Sequence, residues 1–549
     1  MYERLIESWL DSASERSYQA SFCQMLNAQG YEILHSTRHS PIEFGKDVIA
    51  KASDGVLCAF QLKGNPNSRL TANQVREIQP QLIQLVSQPI FLSGVQQEHH
   101  KSYIVTNGEI DEEARRALHE IGEGLRQVGY HYPEINIVSR GTLLSWAKNL
   151  GSNLWPSELK NISHLLEILV EDGRKLFPIN KLHVLLCSVL GLLNTGSKRP
   201  SANEVMRRIN SSALLVGISL KNFNDKNNHY SAIIAWTLFV VYAMGACERY
   251  GISYRRNAMH SVEIAKTTIF DALCELCNEL QERKHIVEGD AFTDTPFYAG
   301  RQLLLSALMA LLWFWDIEIK SLSEKQKEFI GSFMPNEPQP GWLWGEGAVP
   351  QLLAYIWYIR ATTATTKADM FLAYILRTIC RNNISKKLER LASPYYSLED
   401  VTNHLLRSVI GEKDDKLADE NPINTSYSAE GLMNLLVRTN LKQTCKSIWP
   451  DYSQLIMHWF EPSSKWQYCL WRSEDGIERS KQIPIQGVWD SLVEEARDVR
   501  SNHIPAPLKQ EKFILLLWTI IAPYRATSET IRLLGYKFNN CWFIPPPYT

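Results

Sequence analysis

The stretch from residue 44 to residue 63 most constrains the fold of this chain, because it contains two short β-prone runs joined by a tight turn. The runs cover residues 47–51 and 56–63, and the turn between them ends in Asp54-Gly55. Asp-Gly between two such runs is a strong signal for a two-stranded hairpin. We therefore predict an antiparallel hairpin that brings Asp47 beside its second strand.

The second run of this hairpin carries side chains of two kinds in alternation. Because side chains of a strand point alternately to its two faces, Gln61 and Lys63 share one face. One face of the hairpin can thus gather Asp47, Gln61 and Lys63, which are a carboxylate, an amide oxygen and an ammonium. Hydrolysis of a phosphodiester with a hard cation needs oxygen ligands and a positive group near the attacking water. These three residues can supply those parts.

At this hairpin the sequence resembles the Mrr-like restriction endonuclease branch of the PD-(D/E)xK nuclease superfamily. Residues 45–50 (GKDVIA) are similar to the glycine-x-aspartate strand of that branch, and residues 60–63 (FQLK) are similar to its QxK strand. The likeness extends from the first helix, around Tyr18-Gln19, to a closing strand and helix at residues 135–143, and covers roughly residues 10–150. It implies an α/β restriction-endonuclease-like domain, with a mixed sheet flanked by helices.

The resemblance also implies a function and a set of site residues. The chain would be a metal-dependent nuclease that uses Mg²⁺ or Mn²⁺ and acts on nucleic acid, with DNA favoured over RNA. Asp47 would hold the metal together with the amide oxygen of Gln61 and the backbone carbonyl of Leu62. Lys63 would orient or activate the attacking water. Gln74, on a helix predicted over residues 70–86, would face the substrate.

The first helix departs from the family pattern. Gln19 stands where the family usually carries Glu, and Glu15 lies four residues earlier on the same helical face. We expect Glu15, or Glu43 in the preceding loop of the hairpin, to act as a substitute ligand, and Gln19 itself is a further candidate for the site. With amides at both 19 and 61, binding of the metal without substrate is expected to be weak. A non-catalytic nucleic-acid-binding scaffold with a degenerate nuclease fold is the alternative.

Charge limits how the chain can bind nucleic acid. The 549 residues carry a net charge of −1, which excludes a globally basic binder. Residues 1–155 contain 14 basic and 17 acidic residues, so this part is near −3. Because affinity for phosphates comes mostly from Lys and Arg, either those residues lie on one side or another domain or partner holds the nucleic acid.

The remaining sequence predicts a multi-domain protein. Residues 1–155 would form the nuclease domain and 156–411 an α-helical array or bundle, followed by a charged linker at 412–421. Residues 427–549 would form a tryptophan-rich helical domain with a β-hairpin whose strands are 466–471 and 478–485. A nuclease fused to a helical region is similar to the plan of prokaryotic restriction and anti-phage effectors. By this analogy, the region senses a trigger, binds a partner or oligomerises, and a second subunit or a homodimer is expected.

Two features bear on localisation. The ten cysteines lack the spacing of a disulfide framework, which indicates reducing cytoplasm. Residues 230–247 carry no charge, a length close to that of a membrane span. Several small and hydroxylated residues dilute the hydrophobicity of this run and no basic cluster precedes it, so we expect a buried helix and no membrane attachment.

Overall fold

A computed structural model describes residues 2–36, 45–65, 69–90, 99–151, 159–193, 199–283, 296–363, 365–384, 390–409, 424–471, 476–498 and 500–539. Glu43 and the expected linker at 412–421 lie outside these ranges. The chain divides into two compact units, Met1–Ala272 and Leu273–Thr549. This division falls inside the helical region that the sequence assigned to 156–411.

A five-stranded mixed sheet organises the start of the first unit. Its strands, in chain order, are β1 (Glu32–Ser36), β2 (Val48–Lys51), β3 (Leu57–Lys63), β5 (His100–Thr106) and β7 (Ile135–Val138), while β4 (Arg69–Leu70) and β6 (Glu109–Ile110) form a separate parallel pair. The spatial order is β1-β2-β3-β5-β7. The pairings of β1 with β2 and β2 with β3 are antiparallel, whereas β5 lies parallel to both β3 and β7. The expected mixed sheet is confirmed.

Helices cover both faces of this sheet. They are α1 (Tyr2–Ser12), α2 (Glu15–Ala28), α3 (Ala72–Glu77), α4 (Gln79–Ser87), α5 (Glu112–Val128) and α6 (Arg140–Gly151). On one face, Ala59 and Ile104 of the sheet share an apolar core with Leu82 of α4 and Leu118 of α5. On the other face, Phe60 meets Phe22 of α2 edge to face, with ring centroids 5.5 Å apart. Burial on both faces holds β3 firmly in the middle of the sheet.

The first unit continues with further helices, of which Ala202–Ser219 and Lys221–Asp225 pack directly on α2. The bounds of these helices are Leu159–Leu169, Ile179–Leu190, Ala202–Ser219, Lys221–Asp225, His229–Tyr250, Tyr254–Asn257 and Met259–Glu282, and the division between the two units falls within the last of them. The buried amide of Gln24 donates to the carbonyl of Ser261 at 2.8 Å. A Cβ at Gly217 would approach Ser21 Oγ to 2.0 Å, so the backbones come very close there. This shared packing explains why the sheet and these helices form one unit.

Among the described residues, two helices are long and apolar enough to cross a membrane by length and composition. They are His229–Tyr250 and Phe297–Ile319, and their most apolar windows are 94% and 61% buried within the protein. Core helices of soluble proteins pass the same test of length and composition. His229–Tyr250 lies in the interior of the first unit, as expected for residues 230–247.

The second unit is mainly helical and contains a small three-stranded sheet. Its helices are Pro296–Ile319, Glu324–Phe333, Glu346–Ala348, Val349–Thr362, Thr365–Ile384, Leu398–Val409, Ala429–Arg438, Lys442–Tyr452, Lys465–Cys469, Trp489–Arg497, Ala506–Gln510, Lys512–Ile521, Pro523–Arg525 and Ser528–Asn539. The strands β8 (Thr425–Ser426), β9 (Ile456–Pro462) and β10 (Gly476–Gln482) lie in the order β10-β9-β8.

The C-terminal hairpin exists, but its predicted first strand is wrong. Residues 466–471 fall largely within a short 3₁₀ helix, Lys465–Cys469, and β9 is the strand that pairs with β10. The backbone N–H of Ser464 donates to the side chain of Gln467 at 2.6 Å, which caps this turn. The hydroxyl of buried Tyr468 donates to the carbonyl of Arg525 at 2.8 Å. The cap and this distant contact favour a turn over an extended run.

Candidate active site

The hairpin of β2 and β3 forms around the Asp-Gly turn and carries Asp47 to the end of β3. Gly55 has a φ of +86°, and the N–H of Val56 donates to Asp54 Oδ1 at 3.0 Å. At the other end, the N–H of Asp47 donates to the carbonyl of Phe60 at 2.9 Å. Asp47 Oδ2 accepts a 2.6 Å hydrogen bond from the N–H of Leu62. The Asp47 carboxylate is thus held against the backbone of Leu62, the residue between Gln61 and Lys63.

The backbone of Leu62 offers an acceptor on the same side as this carboxylate. In a strand, the N–H and C=O of one residue point to the same neighbouring strand. The carbonyl of Phe60 and the N–H of Leu62 both reach Asp47, so the carbonyl of Leu62 also faces that side. The backbone ligand implied by the family resemblance therefore faces the side of β3 on which Asp47 lies.

Gln61 is buried, and the nitrogen of its side-chain amide has a hydrogen-bond partner. Its Nε2 donates to Gln81 Oε1 on α4 at 2.8 Å. Within the described residues its Oε1 is buried without a hydrogen-bond partner. An unsatisfied buried acceptor costs about 1–3 kcal/mol, which a bound cation or water would offset. The free oxygen of Gln61 is thus a candidate ligand atom.

Glu15, the first residue of α2, reaches the residue that follows β3. Its Oε2 accepts from the N–H of Gly64 at 3.3 Å. A Cβ at Gly64 would lie 2.9 Å from the backbone nitrogen of Glu15, so this close approach requires glycine. The two contacts bring a second carboxylate to the end of β3.

Tyr18 connects the two carboxylates. It is fully buried one turn after Glu15, and its hydroxyl donates to the carbonyl of Lys63 at 3.4 Å. Burial raises the pKa of this phenol well above its usual value, and the charges of Glu15 and Asp47 raise it further. The geometry that brings Glu15 and Asp47 together is their hydrogen bonds to the N–H groups of Gly64 and Leu62, which are two residues apart.

Lys63 ends β3 and is half-buried. No carboxylate within the part of the chain that the structure describes forms an ion pair with its ammonium. Leu62 holds Asp47, and the next residue of the strand carries the ammonium of Lys63. A group placed in this way can act on a water or a phosphate close to the carboxylates.

Gln19 and Gln74, two further candidates, have other contacts. The amide of Gln19 donates at 3.2 Å to Ser36 Oγ on β1, which is two strands away from β3. Gln74 caps α3 in a capping box with Thr71, and its Nε2 donates to Asn65 Oδ1 at 3.1 Å. Glu15 thus contacts the end of β3, while Gln74 supports the loop after Lys63.

Sequence reasoning gave no role to Tyr18, Gly64 or Lys46. Tyr18 follows Glu15 by three residues and so shares its helical face, which was the available signal. The signal for Gly64 was its place directly after the QxK strand. Lys46, next to Asp47, is only 3% exposed, and its Nζ donates to the carbonyl of Gln84 at 3.4 Å. Burial lowers the pKa of this ammonium to about 8.

The residues at the end of β3 fit a magnesium ion. Among the described residues, no group of three or more His, Cys, Asp or Glu side chains is placed to hold a metal. Mg²⁺, however, is usually held by only one or two carboxylates together with waters and substrate phosphates. Asp47 and Glu15 meet that number, and the oxygen of Gln61, which has no partner among the described residues, adds a neutral ligand.

No protein-family model, curated protein or solved structure matches this chain.

Proposed function

We propose that residues 1–155 form a restriction-endonuclease-like, metal-dependent nuclease that hydrolyses phosphodiester bonds, in DNA rather than RNA. The observation that carries this proposal is the 2.6 Å hydrogen bond from the Leu62 N–H to the Asp47 carboxylate. This bond holds the Asp47 carboxylate at Leu62, and the neighbours of Leu62 in β3 are Gln61, an amide, and Lys63, an ammonium. Glu15 accepts a hydrogen bond from the Gly64 N–H and supplies the acidic group from the first helix.

The site would hold Mg²⁺ or Mn²⁺ through Asp47, Glu15, the Gln61 oxygen and the Leu62 carbonyl. The bound ion would supply charge for the phosphate and lower the pKa of a water. The 2.6 Å hydrogen bond keeps the Asp47 carboxylate at the end of β3. Burial of Gln61 and its contact with Gln81 orient the amide so that its oxygen has no hydrogen-bond partner within the described ranges.

Lys63 would act on the nucleophile. Its ammonium orients the attacking water and stabilises the negative charge that develops on the phosphate. Tyr18 holds the backbone of Lys63 through the carbonyl, so the position of the ammonium depends on a buried hydrogen bond. Lys63 is the residue whose removal should affect catalysis with the least effect on folding, because it is half-buried at the end of a strand.

Substrate affinity would require help from outside the sheet. Residues 1–155 carry a net charge near −3, which disfavours binding of a polyanion by this part alone. The proposal therefore includes a second copy of the chain, a partner subunit or the helical part as a further source of contacts. An effector of prokaryotic restriction or anti-phage defence in the cytoplasm is the biological setting in which such an assembly would act.

Cleavage assays with the full chain test the proposal. Purified protein is incubated with supercoiled plasmid and with RNA, in Mg²⁺, in Mn²⁺ and in EDTA. We expect the plasmid to be cut with either ion and not in EDTA. Lys63→Ala should abolish cutting, while Lys51→Ala, an exposed lysine of the same hairpin, should not. Cutting by a pure Lys63→Ala protein would exclude the proposed role of Lys63.

A non-catalytic nucleic-acid-binding scaffold is the second candidate. The contact of Gln19 with Ser36 favours it, because the usual acidic position of the first helix is an amide that faces β1. This candidate predicts that the protein retains plasmid in a gel-shift assay but never cuts it with either ion. Metal-dependent cutting that is lost in Lys63→Ala would exclude it.

A further inference from the structure

The second unit contains a polar and aromatic pocket that the proposed nuclease does not use. Its volume is about 540 Å³, within the range of about 300–1,000 Å³ that is common for small-molecule sites. Three parts of the unit form its walls: the segment from Arg390 to Tyr396, the region around Tyr427, and the face of β9 and β10 that carries His458 and Phe460. All the groups discussed here belong to this one unit.

A buried carboxylate holds the floor of the pocket in place. Glu346 is 4% exposed and accepts hydrogen bonds from the amide of Asn383 at 2.8 Å, from the hydroxyl of Ser426 at 3.0 Å and from the N–H of Tyr427 at 2.8 Å. It also accepts from the N–H and the hydroxyl of Ser428 at 2.8 and 2.6 Å. Five donors satisfy this carboxylate, so it adds rigidity without presenting a reactive negative group.

Aromatic rings form one wall of the pocket and are fixed by stacking. Tyr395 stacks on Tyr524 with ring centroids 5.2 Å apart and an angle of 9° between the ring planes. It nevertheless remains 44% exposed, so much of the ring is accessible. Phe460 lies across Gly476, where a Cβ would come within 2.0 Å of the ring. Flat, fixed rings of this kind are platforms on which a planar ligand can stack.

A buried guanidinium lies behind this wall. Arg525 is 2% exposed and lies over Phe460, Tyr468 and Tyr524, with its central carbon 5.2, 5.8 and 5.3 Å from the ring centroids. One nitrogen donates to the carbonyl of Leu470 at 2.9 Å. Among the described residues no carboxylate lies within ion-pair distance of it. A buried charge without a counter-ion is costly, and a bound anion nearby would offset that cost.

The charge of Arg525 reaches the pocket. Burial is the main effect on Tyr395 and Tyr427 and raises the pKa of both phenols, whereas the positive charge of Arg525 lowers it in each. Arg390 adds a second guanidinium to the lining. Among the described lining residues, Glu478 is the second acidic group; it raises the pKa of Tyr395, is 67% exposed and lies 3.5 Å from His458. Arg390 and Arg525 thus place positive charge beside the two carboxylates of the pocket.

We propose that this pocket binds a nucleoside phosphate, whose base stacks on Tyr395 and whose phosphate is held by Arg390. The combination of a stacking surface with a guanidinium suits a ligand that is planar at one end and anionic at the other. The proposal is independent of the nuclease site, since none of its residues contributes to the end of β3.

Calorimetric titration of the full chain in EDTA tests the proposal, because chelation removes metal-dependent binding at the nuclease site. The probes are AMP, GMP, CMP and UMP, their nucleosides and inorganic phosphate. We expect at least one nucleotide to bind at least tenfold more tightly than its nucleoside and than inorganic phosphate. Failure of all four nucleotides to bind would overturn the proposal, and so would equal binding of nucleotide and nucleoside.

Paired variants locate the binding. Tyr395→Ala and Arg390→Gln should each weaken nucleotide binding at least tenfold. Tyr374→Ala and Arg381→Gln, at exposed positions of the helix Thr365–Ile384, are the controls and should not. Arg525→Met should weaken binding of the nucleotide but not of the nucleoside, provided that thermal melting shows it folded. Unchanged affinity in both Tyr395→Ala and Arg390→Gln would place the ligand elsewhere and overturn the proposal.

Discussion

The carboxylate of Asp47 accepts a 2.6 Å hydrogen bond from the backbone N–H of Leu62. This bond joins the residue before β2 to a residue near the end of β3. The same bond therefore stabilises the hairpin and positions the carboxylate of the candidate site. Tyr18 then joins α2 to the same place through the carbonyl of Lys63. The site therefore depends on three elements, and each can be changed separately.

Glu15, rather than Gln19, should carry the acidic function of the first helix. Glu15 contacts Gly64 at the end of β3, whereas Gln19 contacts Ser36 on β1. We expect Glu15→Gln to lower the rate of plasmid cleavage by about a hundredfold, an effect comparable to that of removing one charge-stabilising group from an active site. Gln19→Ala should change the rate less than threefold. Equal losses in both variants would contradict this assignment.

Replacing the neutral ligand by an acidic one should strengthen metal binding. Gln61→Glu adds a negative charge at the oxygen that has no partner among the described residues. We expect the Mg²⁺ concentration that gives half-maximal cleavage to fall about tenfold, which corresponds to about 1.4 kcal/mol. Gln79→Glu, at an exposed position on α4, is the matched control and should leave it unchanged. An unchanged or higher Mg²⁺ requirement in Gln61→Glu would remove Gln61 from the ligand set.

Gly64 should tolerate no side chain. Because a Cβ there would meet the backbone nitrogen of Glu15 at 2.9 Å, Gly64→Ala must push α2 and β3 apart. We expect a loss of about 1–3 kcal/mol in the free energy of unfolding, together with loss of cleavage. Gly124→Ala in α5, where a Cβ meets nothing within 4 Å, should instead stabilise the protein by about 0.5–1 kcal/mol. Thermal melting of Gly64→Ala and Gly124→Ala, each compared with the parent protein, measures these two changes in stability.

Lys46 should make stability depend on pH in the alkaline range. Its folded-state pKa is lowered to about 8, below its value in an unfolded chain. Between about pH 8 and pH 10 the unfolded state therefore binds the extra proton, so the free energy of unfolding rises with pH in this window and is flat below it.

The variant Lys46→Met isolates this effect. It should remove the rise between about pH 8 and pH 10. At pH 7 it should increase stability by about 2 kcal/mol, which is the gain from the lost charge less the cost of the hydrogen bond to Gln84. Denaturant titrations at several pH values measure both effects. A variant with the same slope as the parent would show that another group titrates there.

Local sequence signals predicted the hairpin well. The Asp-Gly turn has the positive φ that the signal requires, and the strands differ from the prediction by a single residue at their starts. The helix predicted over residues 70–86 is instead two helices that meet at Ile78, with Pro80 near the start of the second. Proline favours the first turn of a helix, and this explains the break.

Contacts between distant segments could not be predicted in this way. The packing of Gln24 on Ser261 joins residues 237 positions apart, and nothing in either local pattern indicates it. The same limit applies to the choice between Glu15 and Gln19, since both lie on one helical face and only the close approach at Gly64 separates them. The turn at Tyr468 likewise depends on Arg525, far along the chain.

Asp47→Asn provides the most direct test of the central claim. The asparagine oxygen can still accept from the Leu62 N–H, so the hairpin should fold as before, but the negative charge is lost. Cleavage of supercoiled plasmid at saturating Mg²⁺ is measured for the parent and the variant, with circular dichroism to verify the fold. The account predicts that the folded variant cuts at least about a hundredfold more slowly than the parent. A folded Asp47→Asn protein that cuts at the parent rate would contradict it.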